Sequence, residues 1–279
     1  MAPQHPTPFS ADAEKPSTAR IYDYYLGGSD NYQADRDAAE RMIAVVPEST
    51  AAVRANRDFL VRAVYFLAAE AGIDQFLDIG SGLPTRLNVH EVARKVVPDA
   101  RVVYVDYDSA VRAYGDVLLA TSGGVRFAEQ DLREPGKILA DPAVEELIDF
   151  SKPVAILLIA ILPFIYDAEN PDGIVAHLRQ VMAPGSYLVI SHILDEPRSR
   201  AIAATQRHSR TREWTPRTHS RIGSFFADFE LVEPGLTIAS QWRPASLPPE
   251  LYQSPFTTVA DEKLNWLLAG IGRKPTISD

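Results

Sequence analysis

Gln75-Phe-Leu-Asp-Ile-Gly-Ser-Gly-Leu-Pro84 is an apolar run that stops at a carboxylate and passes straight into Gly-x-Gly. A run of this kind forms a buried strand whose C-terminal end opens into a tight turn, presenting bare backbone to a nucleotide-like ligand. Gly80 and Gly82 permit positive φ and close approach, and Pro84, lacking an amide hydrogen, suits the first turn of a following helix. A second run, Arg101-Val-Val-Tyr-Val, ends on Asp106, 24 residues after Gly82. That is near the roughly 20-residue interval at which an acid meets ribose hydroxyls in dinucleotide folds. Asp131-Leu132 follows a third run after another 25 residues, placed for the acid to accept from an adenine amine while Leu132 packs on the ring. Taken singly, each acid reads as a solvated loop carboxylate or a helix cap, and Asp108 reads as the cap of a helix over 109–120. Together the three form one rim.

Outward from this stretch, short apolar runs at Val125–Ala128, Val154–Ala160 and Tyr187–Ser191 alternate with helical periods near 87–97, 108–120, 142–149 and 171–183. Alternation of this type predicts βαβ units and a doubly wound α/β sheet with parallel strands buried on both faces. Before it, apolar spacings of three and four predict two helices, Asp35–Val46 and Glu48 or Ser49 to Ala71, broken at Pro47. After it come a polar segment over 194–228 and strand-like runs at Leu236–Trp242 and Trp266–Gly272. The division expected is a disordered leader over 1–16 and a single domain over 17–279. Within that domain, 17–72 is a helical cap, 73–193 the core, 194–228 a helical insertion and 229–279 the C-terminal strands.

The turn discriminates among cofactors. Where the dinucleotide fingerprint has its third glycine this chain has Thr85, and Asp78 stands two residues before the first glycine, which disfavours NAD. No lysine lies in the turn, which excludes a Walker-type phosphate site. Asp78 can hold the loop amides or receive a ligand ammonium, which suits the amino-acid moiety of S-adenosylmethionine better than a pyrophosphate.

Asp78-Ile-Gly-Ser-Gly, Asp106 and Asp131-Leu resemble the successive motifs of class I S-adenosylmethionine-dependent methyltransferases. Longer motifs extend the resemblance: Ala19-Arg-Ile-Tyr-Asp-Tyr-Tyr-Leu-Gly-Gly-Ser-Asp-Asn-Tyr-Gln-Ala-Asp-Arg36, Arg54-Ala-Asn-Arg57, Phe76 to Thr85, Asn88-Val-His-Glu91, Ser191-His192, Trp242-Arg-Pro244 and Gly272-Arg-Lys-Pro275. Over residues 17–275 the chain is similar to a family of methyltransferases abundant in actinobacteria and named mostly as a domain of unknown function. The resemblance implies a Rossmann-like sheet, mostly parallel with an antiparallel C-terminal strand, under an N-terminal helical lid. It implies S-adenosyl-L-methionine as cofactor, S-adenosyl-L-homocysteine as product, and cofactor contacts from Arg20, Asp78, Gly80, Ser81, Gly82, Asp106, Tyr107, Asp131, Leu132 and Ala160. Arg20, Tyr22, Tyr24, Tyr25 and Asn31 precede the first strand and read either as a lid over the site or as anchors of the segment, with Gly27-Gly28 as a helix C-cap.

Methyl transfer is an in-line displacement, so the cofactor carries the reactivity and the protein supplies alignment and desolvation. His192, ending the fifth strand with an intrinsic pKa near working pH, is the candidate base, a structural hydrogen-bonding role being the alternative; Tyr24 is the second catalytic candidate. Tyr22, Tyr25, Phe164 and Trp214 are candidates to hold a flat aromatic acceptor such as an indole or phenol, the plainer reading of Phe164 being core. His90, His177, His208 and His219 read as structural or surface residues, and no spacing suggests a metal site.

Composition bounds the partners. Twenty-eight basic against 37 acidic residues give a net charge of −9, which repels a phosphate backbone, so a nucleic-acid partner is not expected. Seven arginines against one acid, Glu213, over 198–221 are the exception, readable as an anion or tRNA-like site or as a solvated face or oligomer contact. The absence of cysteine fits a reducing cytoplasm, and Met1–Lys15, without a basic start or apolar block, reads as neither signal peptide nor membrane anchor. The expectation is a cytoplasmic enzyme of secondary metabolism that methylates a small molecule, with its oligomeric state open and a homodimer one option. A macromolecule methyltransferase and a non-catalytic S-adenosylmethionine-binding regulator are the alternatives.

Overall fold

The computed structural model describes residues 14–84, 87–109, 111–112, 123–206, 212–249, 251 and 266–276. The expected helix over 108–120 falls mostly outside these residues, as do Thr85, His208, Arg207 and Arg210 and nearly all of the expected leader.

Three helices come first: α1 (Thr18–Leu26), α2 (Gln33–Val45) and α3 (Ser49–Ala69). They are followed by β1 (Gln75–Ile79), α4 (Val89–Ala93), β2 (Arg101–Asp106), β3 (Val125–Glu129), α5 (Pro135–Leu139), α6 (Pro142–Leu147) and β4 (Ala155–Ile159). Then come α7 (Pro171–Val181), β5 (Tyr187–Ile193), α8 (Pro197–Gln206), α9 (His219–Gly223), β6 (Glu230–Leu231), β7 (Thr237–Ile238) and β8 (Leu267–Arg273). Local chemistry sets several starts. Asp141 accepts from the Ala143 amide ahead of Pro142, and Asn170 accepts from Gly173 ahead of Pro171. Each thereby satisfies a helix-start donor that has no intrahelical partner, while the proline occupies a position that needs none.

The sheet runs β3-β2-β1-β4-β5-β8-β6, with β7 also paired to β8. Strands β1 to β5 are mutually parallel, while β8 lies antiparallel against β5, β6 and β7. A mostly parallel sheet with an antiparallel C-terminal part is thus the fold, as expected. Because side chains alternate across a strand, each central strand feeds two cores. Phe76, Val102, Leu157 and Val189 pack with α1, α2 and α3 on one face, and Leu77, Val103, Ile156 and Leu188 with α5, α6 and α7 on the other. Burial on both faces is why these strands read as continuous apolar runs.

The C-terminal region departs from its local pattern. Leu236–Trp242 has the apolar content of a strand, yet only Thr237 and Ile238 pair with β8, and Ala239–Gln241 forms a 3₁₀ turn. That turn carries Trp242 into the core, where its ring packs edge-on against Phe59 and Phe66 of α3. Arg62 holds the same segment, its Nε donating to the Trp242 carbonyl at 2.7 Å and its Nη2 to that of Ala239 at 2.6 Å. Charged donors on buried carbonyls are among the stronger hydrogen bonds. Arg62→Met is expected to cost roughly 2–3 kcal/mol, because it strands two buried acceptors. The check is a lower urea midpoint with an unchanged slope.

Candidate active site

The order of the strands reverses at β1, which lies between β2 and β4, and such a switch point leaves a crevice at the C-terminal strand ends. Here the glycine turn is hooked onto β2. Gly80 and Ser81 donate to the Val105 carbonyl at 2.7 and 3.2 Å, and the Gly82 amide donates to Asp106 Oδ2 at 2.9 Å. Asp106 Oδ1 accepts from the Asp108 amide at 3.0 Å. Both glycines are left-handed, with φ of 75° and 65°. A Cβ on Gly80 would lie 2.5 Å from Ile161 Cγ1, so only glycine lets the loop after β4 close on the turn. Ala160 follows β4 in the same region at φ 54°, held by its amide on Ser191 Oγ at 2.9 Å.

Over the strand ends stands a cavity of about 470 Å³, in the size range of small-molecule sites. Its floor is Asp78, the glycine turn, Asp106 and Ala160, and α1 with Lys15–Ser17 roofs it. Asp35 fixes the roof. Fully buried, it accepts from the Ser17 amide, Arg20 Nε and the Tyr32 amide, each at 2.8 Å. Ser17 Oγ then reaches across the cavity mouth to Asp108 Oδ2 at 2.7 Å. The N-terminal segment is therefore both anchored and positioned as a cover.

The family follows from comparison with known proteins. A family model described as S-adenosyl methyltransferase matches residues 4–275. The chain belongs to the S-adenosyl methyltransferase family. A solved structure described as a methyltransferase of Thermobifida fusca is 42% identical, with a TM-score of 0.88 over 96% of this chain and 98% of that one. A DUF574 family protein of Streptomyces avermitilis is 36% identical, with a TM-score of 0.86 over 95% and 99%. An O-methyltransferase family protein of Burkholderia thailandensis, 13% identical at a TM-score of 0.50 over 96% of this chain and 67% of that one, shares the fold. No curated protein matches. As a member of the family the chain is a methyltransferase whose cofactor is S-adenosylmethionine.

Within this methyltransferase the cavity gathers Arg20, Tyr22, Asp78, Gly80, Ser81, Gly82, Asp106, Tyr107, Asp131, Leu132, Ala160 and Phe164 into its lining. Four expected site residues are absent from that lining. Tyr24 turns to the outer side, its hydroxyl 2.5 Å from Glu40 Oε1. Tyr25 is core, buried between α1 and α2 with its hydroxyl near the Ala39 carbonyl. Trp214 packs on Trp266, 6.0 Å between ring centres. His192, the expected base, is fully buried. Its Nδ1 donates to the Ile193 carbonyl at 2.8 Å and its Nε2 accepts from Arg217 Nη1 at 2.9 Å. Burial, with the Arg217 charge acting the same way against the Ile193 bond, pushes its pKa down to about 3. A neutral imidazole in this setting has both of its nitrogens engaged and stands outside the cavity lining.

The lining also contains Asp23, Leu60 and Arg57, which are not among the expected site residues, and Arg212 of the arginine-rich segment. Arg57 projects from α3 into the cavity lining. There it donates to the Leu87 carbonyl at 3.0 Å and its charge faces Asp78. Arg212 stacks on Tyr166 at 4.1 Å, binds the Phe164 carbonyl and pairs with Glu169. No metal-holding group of His, Asp and Glu occurs among the described residues, and none of their helices is long and apolar enough to cross a membrane.

The rim acids are shifted in different directions. Burial pushes Asp78 up to about 7 against the opposing charge of Arg57, with Asp106 adding to the rise. Burial likewise raises Asp106, partly offset by its amide donors. At Asp131 burial also raises, but hydrogen bonds from the Arg133 side chain and amide prevail and hold the carboxyl low. For Asp78 the folded-state value stands above the unfolded one of 3.8, so its contribution to stability is complete below that pH and is lost as pH rises through 7. Asp78→Asn is expected to stabilise the ligand-free protein by on the order of 2–4 kcal/mol at pH 8, at ~1.4 kcal/mol per pKa unit, and little at pH 4. Thermal unfolding at the two pH values checks this.

Proposed function

We propose that the cavity binds S-adenosylmethionine with its ammonium at Asp78, its carboxylate at Arg57, its ribose at Asp106 and its adenine between Tyr107 and Leu132 beside Asp131. The observation that carries this reading is the pairing of two buried carboxylates, Asp78 and Asp106, on either side of a turn with left-handed glycines under a roof. A buried acid that forms no ion pair among the described residues favours a ligand that brings a cation, while glycine amides and Asp106 oxygens suit a diol. Ala160 and Arg20 complete the wall on the β4 and α1 sides. The chain's part in the reaction is to orient the sulfonium methyl and keep water out, the displacement chemistry residing in the cofactor.

The acceptor in this reading is a small molecule, an aromatic or indole-type secondary metabolite. Its support is the small-molecule size of the cavity and the apolar wall of Tyr22, Leu60, Ile161 and Phe164. A nucleic-acid acceptor loses support, because four arginines of the arginine-rich segment are paired with acids of the chain among the described residues. Arg200 bonds Asp195, Arg212 Glu169, Arg217 Asp167 and Arg221 Asp172. Phosphate contacts need cations that are open to the ligand.

Calorimetry should show S-adenosylmethionine binding and no NAD binding; the opposite result would falsify the cofactor reading. Asp78→Asn and Arg57→Met should each weaken binding about 10- to 100-fold, the loss expected of one charged contact. Because Asp78 must be ionised to pair with an ammonium, wild-type affinity should fall up to tenfold per unit below pH 7 and level off above it. Asp78→Asn should abolish that slope. Labelled methyl transfer should appear in a metabolite pool and not in RNA or protein; binding without transfer to any pool would mark a regulator instead.

A further inference from the structure

With His192 sealed in the core, the cavity needs another group to receive a proton from any acceptor that carries one. From α1 the cavity lining takes Thr18, Ala19, Arg20, Tyr22 and Asp23, of which Ala19, Tyr22 and Asp23 are spaced as one helix face. Asp23 is 3% exposed, yet it forms no ion pair among the described residues. Its two hydrogen bonds both fall on Oδ2, from the Asp30 amide at 2.9 Å and from Asn31 Nδ2 at 2.8 Å. Oδ1 has no hydrogen-bond partner among the described residues. A Cβ on Gly28 would lie 1.9 Å from that oxygen, so glycine at this position makes room for the carboxylate's rotamer.

The other acids of the cavity are otherwise engaged. Asp106 organises the glycine turn, Asp131 is held by Arg133, and Asp108 closes on Ser17. Asp78 takes the cofactor in the reading above, on which this inference rests. We propose that Asp23 Oδ1 takes the proton of a methyl acceptor that attacks through an N–H or O–H group held against α1. The acceptor's lone pair forms the bond to the methyl carbon as the carbon–sulfur bond breaks. The broken bond's electron pair stays on sulfur, giving S-adenosylhomocysteine. The acceptor's proton passes to Asp23 and from there to water. The substrate class is therefore an amine, azole or hydroxyl acceptor, not a carbon nucleophile lacking such a proton.

Surrounding charges suit the role. Asp30, from the loop after α1, and Asp35, from α2, both raise the Asp23 pKa, as does burial, the largest influence; Asn31 and the Asp30 amide oppose them. The cations nearby are bound elsewhere: Arg20 on Asp35, and Arg36 on the Asn31 carbonyl and Oδ1 at 2.9 Å. Arg57, on α3, lines the same cavity and donates to Leu87. A carboxylate raised toward neutrality is the more effective proton acceptor.

The experiment uses the full chain with labelled S-adenosylmethionine and the small-molecule fraction of an actinobacterial lysate. Asp23→Asn keeps an oxygen for Asp30 and Asn31, so calorimetry should find its S-adenosylmethionine affinity within threefold of wild type. Its transfer rate should fall 10²- to 10⁴-fold, the range of a lost general base. At saturating S-adenosylmethionine, where the titration of Asp78 no longer limits binding, the wild-type rate should rise with pH along a carboxylate limb that Asp23→Asn lacks. Asn31→Ala, which loosens the loop but keeps the carboxylate, should retain that limb. Transfer by Asp23→Asn at the wild-type rate overturns the proposal, as does loss of cofactor binding in that variant or loss of the limb in Asn31→Ala. A wild-type protein that binds S-adenosylmethionine but methylates nothing removes the methyl-transfer reading itself, and this inference with it.

Discussion

The hydrogen bond from the Gly82 amide to Asp106 Oδ2 ties the ends of two adjacent parallel strands, and the cavity is built around it. A sheet buried on both faces satisfies its backbone groups internally except at the strand ends, where the chain must turn and amides come free. In β1 and β2 those amides are met partly by the Val105 carbonyl and partly by a carboxylate. The carboxylate thereby becomes a fixed, buried acceptor beside open backbone. The ligand chemistry available to the protein follows from that arrangement.

A second constraint is the burial of charge under the roof. Asp35 and Arg20 lie in the α1–α2 interface with almost no exposure. Removing one partner of such a pair leaves a buried charge uncompensated, a cost of several kcal/mol, so the pair specifies how α1 seats even if it adds little net stability. Seating α1 turns one of its faces into the cavity ceiling and sends Tyr24 and Tyr25 elsewhere. Cofactor and acceptor would then meet in a space whose walls come from both the strand ends and this helix.

Much of the sheet was legible in advance. The runs that became β1 to β5 are short, apolar and bounded by turn residues or acids, and two-sided burial requires that pattern. The acids at their ends could be read because they sit next to the strands that place them. The run over 236–242 misled for a reason that is equally physical: an apolar segment can be buried by pairing or by packing, and here Trp242 is drawn under α3 by Phe59, Phe66 and Arg62. Four named site residues failed to reach the cavity because helix phase and core depth, not proximity in sequence, decide which way a side chain points. Tyr22 and Asp23 face the cavity, while Tyr24 and Tyr25, one and two positions on, do not.

What the sequence by itself determined was the sheet, the glycine turn and the family, since each is encoded in local runs whose period and spacing admit few other structures. Tertiary structure alone decided that His192 is sealed by Arg217, that Arg57 stands opposite Asp78, and that Asp23 looks into the cavity. Those outcomes depend on desolvation and on contacts between residues far apart in the chain. Such contacts exist only once the helices have packed.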